Sequence, residues 1–209
     1  MRRRERYLES GPKHLPLILA LNSGGEPLGW ITYKDTAFYY AKNKIVWSLG
    51  QHEVILRGGT NAKTGQQSIL VIDTIVAIDN SVSPSKFRNK SPALSNRTLF
   101  ERDRNLCAYC GNIFTKKELT RDHVKPVSKG GLDVWENVVT CCYGCNQWKG
   151  DRTPEEAGLK LLYVPYTPSY NEHLILQNRK ILACQMDFLM KGVSKNSRLF
   201  KDSISILNS

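Results

Sequence analysis

Residues 122 and 123 are Asp-His, a carboxylate beside the side chain that titrates nearest neutrality. A histidine there can take a proton from water. The carboxylate is a suitable oxygen ligand for Mg2+ or Mn2+. If both residues lie on a strand, Asp122 and His123 point to opposite faces. Asn146 follows Cys145 at the expected start of a helix, and its amide oxygen could be a second ligand to the same ion. Each residue alone has a plain structural explanation. An Asp-His pair is usually a surface or turn feature, Asn137 alone would be a turn residue, and Asn146 alone would be a helix cap. Only their joint spacing points to chemistry.

That spacing is framed by cysteines. Four of the six cysteines form two close pairs, Cys107-x2-Cys110 and Cys142-x2-Cys145, with 31 residues between the pairs. Two residues between ligands let a tight turn aim both sulfurs at one ion, and two such turns complete a tetrahedral thiolate site for zinc. One pair alone would fit redox chemistry equally well. A closed four-thiolate site has no open position, so this Zn2+ would be structural and not catalytic. Cys141 and Cys184 are left over as buried thiols, with Cys141 the alternative ligand to its neighbour Cys142.

The stretch between and beyond the pairs reads Asp122-His123, then Ser128-Lys129-Gly130-Gly131, then Glu136-Asn137-Val138-Val139, then Cys142-x2-Cys145-Asn146-x2-Lys149-Gly150. This pattern resembles the HNH endonuclease motif carried on a zinc-bound ββα-metal finger. Thr153-Pro154-Glu155-Glu156-Ala157-Gly158 and the earlier Leu19-Ala20-Leu21-Asn22 and Glu26-Pro27-Leu28 resemble stand-alone bacterial HNH proteins. The resemblance is close over 97–160 and loose before it. It implies that His123 is the general base and that Asp122 and Asn146 hold the divalent ion. It also implies that Asn137 fixes the loop orienting the base, and that the products carry a 5′-phosphate and a 3′-hydroxyl. The third signature residue of the family is often His, and here it is Asn146.

Those roles match what phosphodiester hydrolysis needs: a deprotonated water, a cation for developing charge and a stabilised leaving oxygen. Lys149 and Arg152 read as phosphate contacts, or else as solvated charges favoured by a helix end. Trp135 and Trp148 read as packing over the zinc core. Two rivals stand beside a DNA endonuclease. One is a zinc-ribbon module that binds nucleic acid without cutting it, and the other is a nuclease directed at RNA.

The elements needed to position these residues give an α+β class. Residues 1–80 read as a small α/β domain with a basic leader. Strands are expected at 17–21, 45–47, 54–56 and 68–78, and Asp35 caps a short helix. Residues 81–96 read as a basic linker. Residues 97–165 read as the nuclease domain, opened by a capping box between Thr98 and Glu101. Residues 166–209 read as a C-terminal helix, over 171–191 and stopped at Gly192, with a polar tail.

The chain has 209 residues, 41% hydrophobic and 23% charged, with net charge +11 and a pI of about 9.4. Residues 14–80 carry no net charge, whereas 1–13, 81–96 and 161–209 carry +3 each. Such a surplus suits a polyanion, either nucleic acid or an anionic membrane surface. DNA is the expected partner, and a two-fold homodimer would be a natural way to cut both strands. The longest apolar run, Leu15 to Leu21, has seven residues and contains Pro16, whereas a spanning helix needs about 20. No membrane association is expected, no signal-like core follows the basic start, and the expected location is cytoplasmic.

Overall fold

In the computed structural model the structure describes residues 6–7, 15–81, 91–178 and 180–200, without side chains at 6, 7 and 51–53. The basic leader, most of the linker and the end of the tail lie outside them. The chain folds as two units: residues 1–90 with 178–191, and residues 91–177 with 192–209. The segment 166–209, expected as one C-terminal element, divides between both.

In the first unit the β-branched runs form a five-stranded sheet. Its strands are β1 (Arg6–Tyr7), β2 (Ile18–Asn22), β3 (Pro27–Ile31), β4 (Ile45–Thr60) and β5 (Gln67–Ile78), in the order β1-β4-β5-β2-β3. Ile18, Leu19, Ala20 and Leu21 are consecutive and all buried, as befits a central strand covered on both faces. The strands expected at 45–47 and 54–56 are one. Irregularities between Ile45 and Trp47 and between Leu49 and Glu53 let β4 absorb the break and stay antiparallel to β5. Helix α1 (Tyr33–Ala41) is capped by Thr32, not Asp35. Asp35 is the reciprocal partner, taking the Thr32 backbone N–H at 3.1 Å and hydroxyl at 2.7 Å.

The second unit carries α2 (Asn96–Arg102), β6 (Leu119–His123), a 3-10 turn (Val127–Lys129), β7 (Val138–Cys142), α3 (Tyr143–Lys149) and α4 (Tyr170–Gln177). The cap of α2 is Ser95 with Thr98, one turn before the expected pair. β6 and β7 are antiparallel, with Leu119 opposite Cys142 and His123 opposite Val138. All five residues of β7 are buried. Val138 joins Leu99, Phe100, Leu119 and Trp135 in one cluster, while Val139 and Cys141 join Ala108, Tyr109 and Tyr163 in another. Trp135 therefore packs on α2 and not on the cysteines. Trp148, also expected in the core, is 64% exposed.

The helix expected over 171–191 is two helices. Asn178 Oδ1 takes the backbone N–H of Lys180 at 3.0 Å, a local bond that competes with the helix. The chain restarts as α5 (Ala183–Met190) in the first unit. Gln185, fully buried, fixes it there: Oε1 accepts from Leu182 N at 3.1 Å, and Nε2 donates to Leu17 O at 2.9 Å and Thr74 O at 2.8 Å. Among the described residues no helix is long and apolar enough to cross a membrane.

The second unit is organised around Arg102, which is 1% exposed. Nε and Nη2 donate to the Asp103 carboxylate at 2.8 and 3.0 Å. Nη1 donates to Trp135 O and Tyr166 O at 2.9 Å each, and Nη2 to Val138 O at 2.8 Å. All five guanidinium N–H donors are thus used, and its Cζ lies over the Trp135 and Tyr166 rings, 5.3 and 5.4 Å from their centroids. Removing one partner of a buried ion pair leaves the other charge uncompensated, at a cost of about 3–5 kcal/mol. Arg102→Ala is expected to destabilise the second unit by that amount in urea unfolding. Arg102→Lys should recover only a part, because an ammonium cannot reproduce the planar fork.

Candidate active site and its cysteine cluster

The first cysteine pair lies between α2 and β6. Cys107 N bonds to Asn112 O at 2.9 Å and Gly111 N to Cys107 O at 3.0 Å, closing a tight turn in which Gly111 has φ +75°. The second pair spans the end of β7 and the first turns of α3, with Cys142 as its N-cap. The four sulfurs of Cys107, Cys110, Cys142 and Cys145 all lie within 4.8 Å of one another. A tetrahedral thiolate site has a metal–sulfur length of about 2.3 Å, which sets its sulfurs about 3.8 Å apart, so the cluster suits zinc. Cys141 stands outside it, with its thiol by Cys142 O at 3.3 Å. Cys141 beside it draws the Cys107 thiol down to about 3, whereas burial pushes Cys110 and Cys145 up. Four thiolates so close therefore need a cation to coexist.

On β6, alternation sends Thr120 and Asp122 toward α3. Asp122 is 5% exposed. Its Oδ2 accepts from Tyr109 Oη at 2.5 Å, and its Oδ1 from Lys149 Nζ at 2.9 Å. Burial and the adjoining carboxylate push the Tyr109 hydroxyl up, so it stays a donor. Helix α3 begins at Tyr143, earlier than expected, which puts Asn146 on its strand-facing side. Asn146 Nδ2 donates to Thr120 Oγ1 at 2.8 Å.

Of the two cations read as phosphate contacts or helix-end charges, Lys149 is buried and Arg152 is exposed at the end of α3. Lys149 is 1% exposed, and besides Asp122 it donates to His123 O at 2.8 Å. Its long side chain reaches inward because a buried carboxylate requires a counter-charge. Arg152 folds back on the end of α3: Nε donates to Lys149 O at 3.2 Å, Nη2 bonds to Trp148 O, and the guanidinium lies over the Trp148 ring. It satisfies helix-end carbonyls that would otherwise be orphaned.

His123 lies on the opposite face of β6 from Asp122. Its Nε2 is 3.0 Å from Asp133 Oδ1. Asp133 is also clasped by Arg121 Nη1 at 2.6 and 2.8 Å, and Arg121 Nε donates to Asn96 Oδ1 at 3.0 Å. The Arg121 guanidinium holds the Asp133 carboxyl below its ordinary range. An ionised carboxylate only accepts, so Nε2 is the nitrogen that donates to it, and in the neutral ring the lone pair is on Nδ1. Asn137 ties down the loop between these residues. Its Nδ2 donates to Leu132 O at 2.8 Å and Lys125 O at 3.0 Å, and its Oδ1 accepts from Lys125 N at 2.9 Å. The loop passes so close that a Cβ on Gly131 would lie 1.8 Å from Lys125 O.

Asp133, Arg121, Tyr109 and Thr120 were not singled out in the sequence. Arg121 and His123 share one strand face by i, i+2 spacing, and that was the only available signal.

Two antiparallel strands with a helix laid across them carry the cysteine cluster at one end and the Asp-His pair on the first strand. Residues 107–162 match the HNH endonuclease family. The matched segment closes on itself, with Leu162 N bonded to Ala108 O at 2.9 Å. Over 46 residues the chain is also 41% identical to the CRISPR-associated endonuclease Cas9 of Corynebacterium diphtheriae, a stretch that is 22% of this chain and only 4% of that relative. The likeness therefore extends to one domain and leaves the first unit uncovered.

Metal analysis of purified protein is expected to give about one tightly held zinc per chain. Cys142→Ser should lose it and unfold the second unit, while Cys141→Ser should keep it. The reverse outcome would make Cys141 the ligand.

Proposed function

We propose that this protein is a metal-dependent endonuclease that hydrolyses DNA phosphodiester bonds, with Zn2+ on the four cysteines as inert scaffold. The observation that carries this reading is the restraint on His123. Its Nε2 is held by Asp133, Asp133 is kept ionised by Arg121, and the loop between is pinned by Asn137. Nδ1 is left to take the proton of an attacking water. Such a chain of bonds suits a base that must hold one tautomer and one orientation.

Asp122 and Asn146 are the proposed ligands of Mg2+ or Mn2+. Both face the seam between β6 and α3, where Thr120 and Lys149 also meet. Asp122 accepts two hydrogen bonds, and a carboxylate offers about four lone-pair sites, so it retains capacity for an ion. When bound, that ion would supply positive charge to the scissile phosphate and its leaving oxygen. Lys149 acts on Asp122 from within the fold, lowering the net negative charge of the seam. DNA as the substrate rests on the domain's family and the net charge of +11. No feature of the finger obviously reads a 2′-hydroxyl.

Supercoiled plasmid incubated with Mg2+ or Mn2+ tests the proposal. Wild type is expected to cut, and His123→Ala to lose about 100- to 10,000-fold in rate, the range of a general base. If neither protein cuts while both still bind plasmid, the chain is a non-cleaving binding module. Preferential cleavage of structured RNA in competition would make it an RNA-directed nuclease instead.

A further inference from the structure

Thr120 belongs to neither the cysteine cluster nor the base. Its hydroxyl has one proton, and Oγ1 donates it to Cys141 O at 3.1 Å. Toward Asn146 the same oxygen can then only accept. The end of the Asn146 amide that faces it at 2.8 Å is therefore the NH2 group. Among the described residues, Asn146 Oδ1 accepts no hydrogen bond.

We propose that Thr120 is a positioning residue that fixes which end of the Asn146 amide faces the divalent ion. The inference rests on the reading of Asn146 as a ligand of that ion. An amide's two ends are nearly equal in size, so packing alone distinguishes them poorly. Turned by half a rotation, Asn146 would offer two N–H donors to a cation. Thr120 prevents this by reserving its lone pair for the amide nitrogen while β7 holds its proton. The branched Cβ restricts the hydroxyl to few rotamers. The second link across the same seam, Lys149 to Asp122, does not pass through Thr120, so strand and helix stay joined without the hydroxyl.

The test is Mn2+ binding to the full-length, zinc-loaded protein, read from the electron paramagnetic resonance signal of free Mn2+. Thr120→Val is expected to weaken binding about tenfold, the scale of one oriented hydrogen bond, with zinc content and melting temperature unchanged. Thr120→Ser should bind within about threefold of wild type. In an Asn146→Asp background the valine substitution should have almost no effect, because a carboxylate has an oxygen at both ends and no orientation to fix. If the valine variant loses zinc or melts early, Thr120→Ala replaces it with the same expectations. Wild-type Mn2+ affinity in the hydroxyl-less variant, with Asn146→Ala weakened, would overturn the role of Thr120 alone. A penalty that persists in the Asn146→Asp background would overturn it too. Unchanged binding in Asn146→Ala would remove the ion-ligand reading on which the proposal stands.

Discussion

A single buried guanidinium sets the geometry on which the second unit depends. Arg102 joins α2 to the carbonyls of Trp135, Val138 and Tyr166, which lie 33, 36 and 64 residues further along the chain. Its partner Asp103 accepts Thr140 N in the middle of β7 at 2.8 Å. Two fully buried charges are tolerable because their hydrogen-bonding capacity is spent on each other and on backbone that would otherwise lack partners. The first strand residue, the tryptophan loop and the segment leaving the finger are thereby held to one helix. The second unit has two small apolar clusters, and here a fixed charge ties together the segments around them.

The rest of the site follows from where β7 is placed. Its last residue is both a cluster cysteine and the cap of α3. The direction of α3 is then constrained at its start by sulfur and along its length by Asn146 and Lys149 against β6. The two faces of β6 have separate surroundings. One faces α3 and carries the proposed ion ligand, and the other faces the loop and carries the proposed base. The alternation of a strand thus gives Asp122 and His123 separate partners while leaving them adjacent in the chain.

The two cysteine pairs were legible in the sequence from their spacing, and the fold brings their four sulfurs together; the Asp-His pair and Asn137 stood out by the same pattern. The loop clamp of Asn137 depends on bonds within about a dozen residues, so its role could be anticipated from the motif. Lys149 and Arg152 could not be placed. A lysine near a helix end reads as solvated, and only the fold shows a buried carboxylate within its reach. Arg102 and Asp103 gave no signal, since a charged pair at the end of a helix is ordinarily a surface feature. Helix caps were placed one turn late at both α1 and α2, because Thr, Ser and Asp suit either position of a capping box. The long C-terminal helix failed for a different reason. Apolar periodicity ran through Asn178, and nothing in the pattern revealed that Gln185 would serve the carbonyls of Leu17 and Thr74.

That last attachment makes the two units interleave along the chain: the first takes back 178–191, and the second ends with 192–209. Residues 91–177 interrupt a fold that resumes at 178, so the first unit is completed only after the finger has been synthesised. Cutting the chain after α4 to isolate a minimal nuclease would also remove Gln185, the partner of two carbonyls 111 and 168 residues upstream of it. The natural seams for dissection are therefore three, near 90, 178 and 192. Excising 91–177 alone would leave behind the tail of the second unit, in which Arg198 donates to Asp103 O at 2.9 Å.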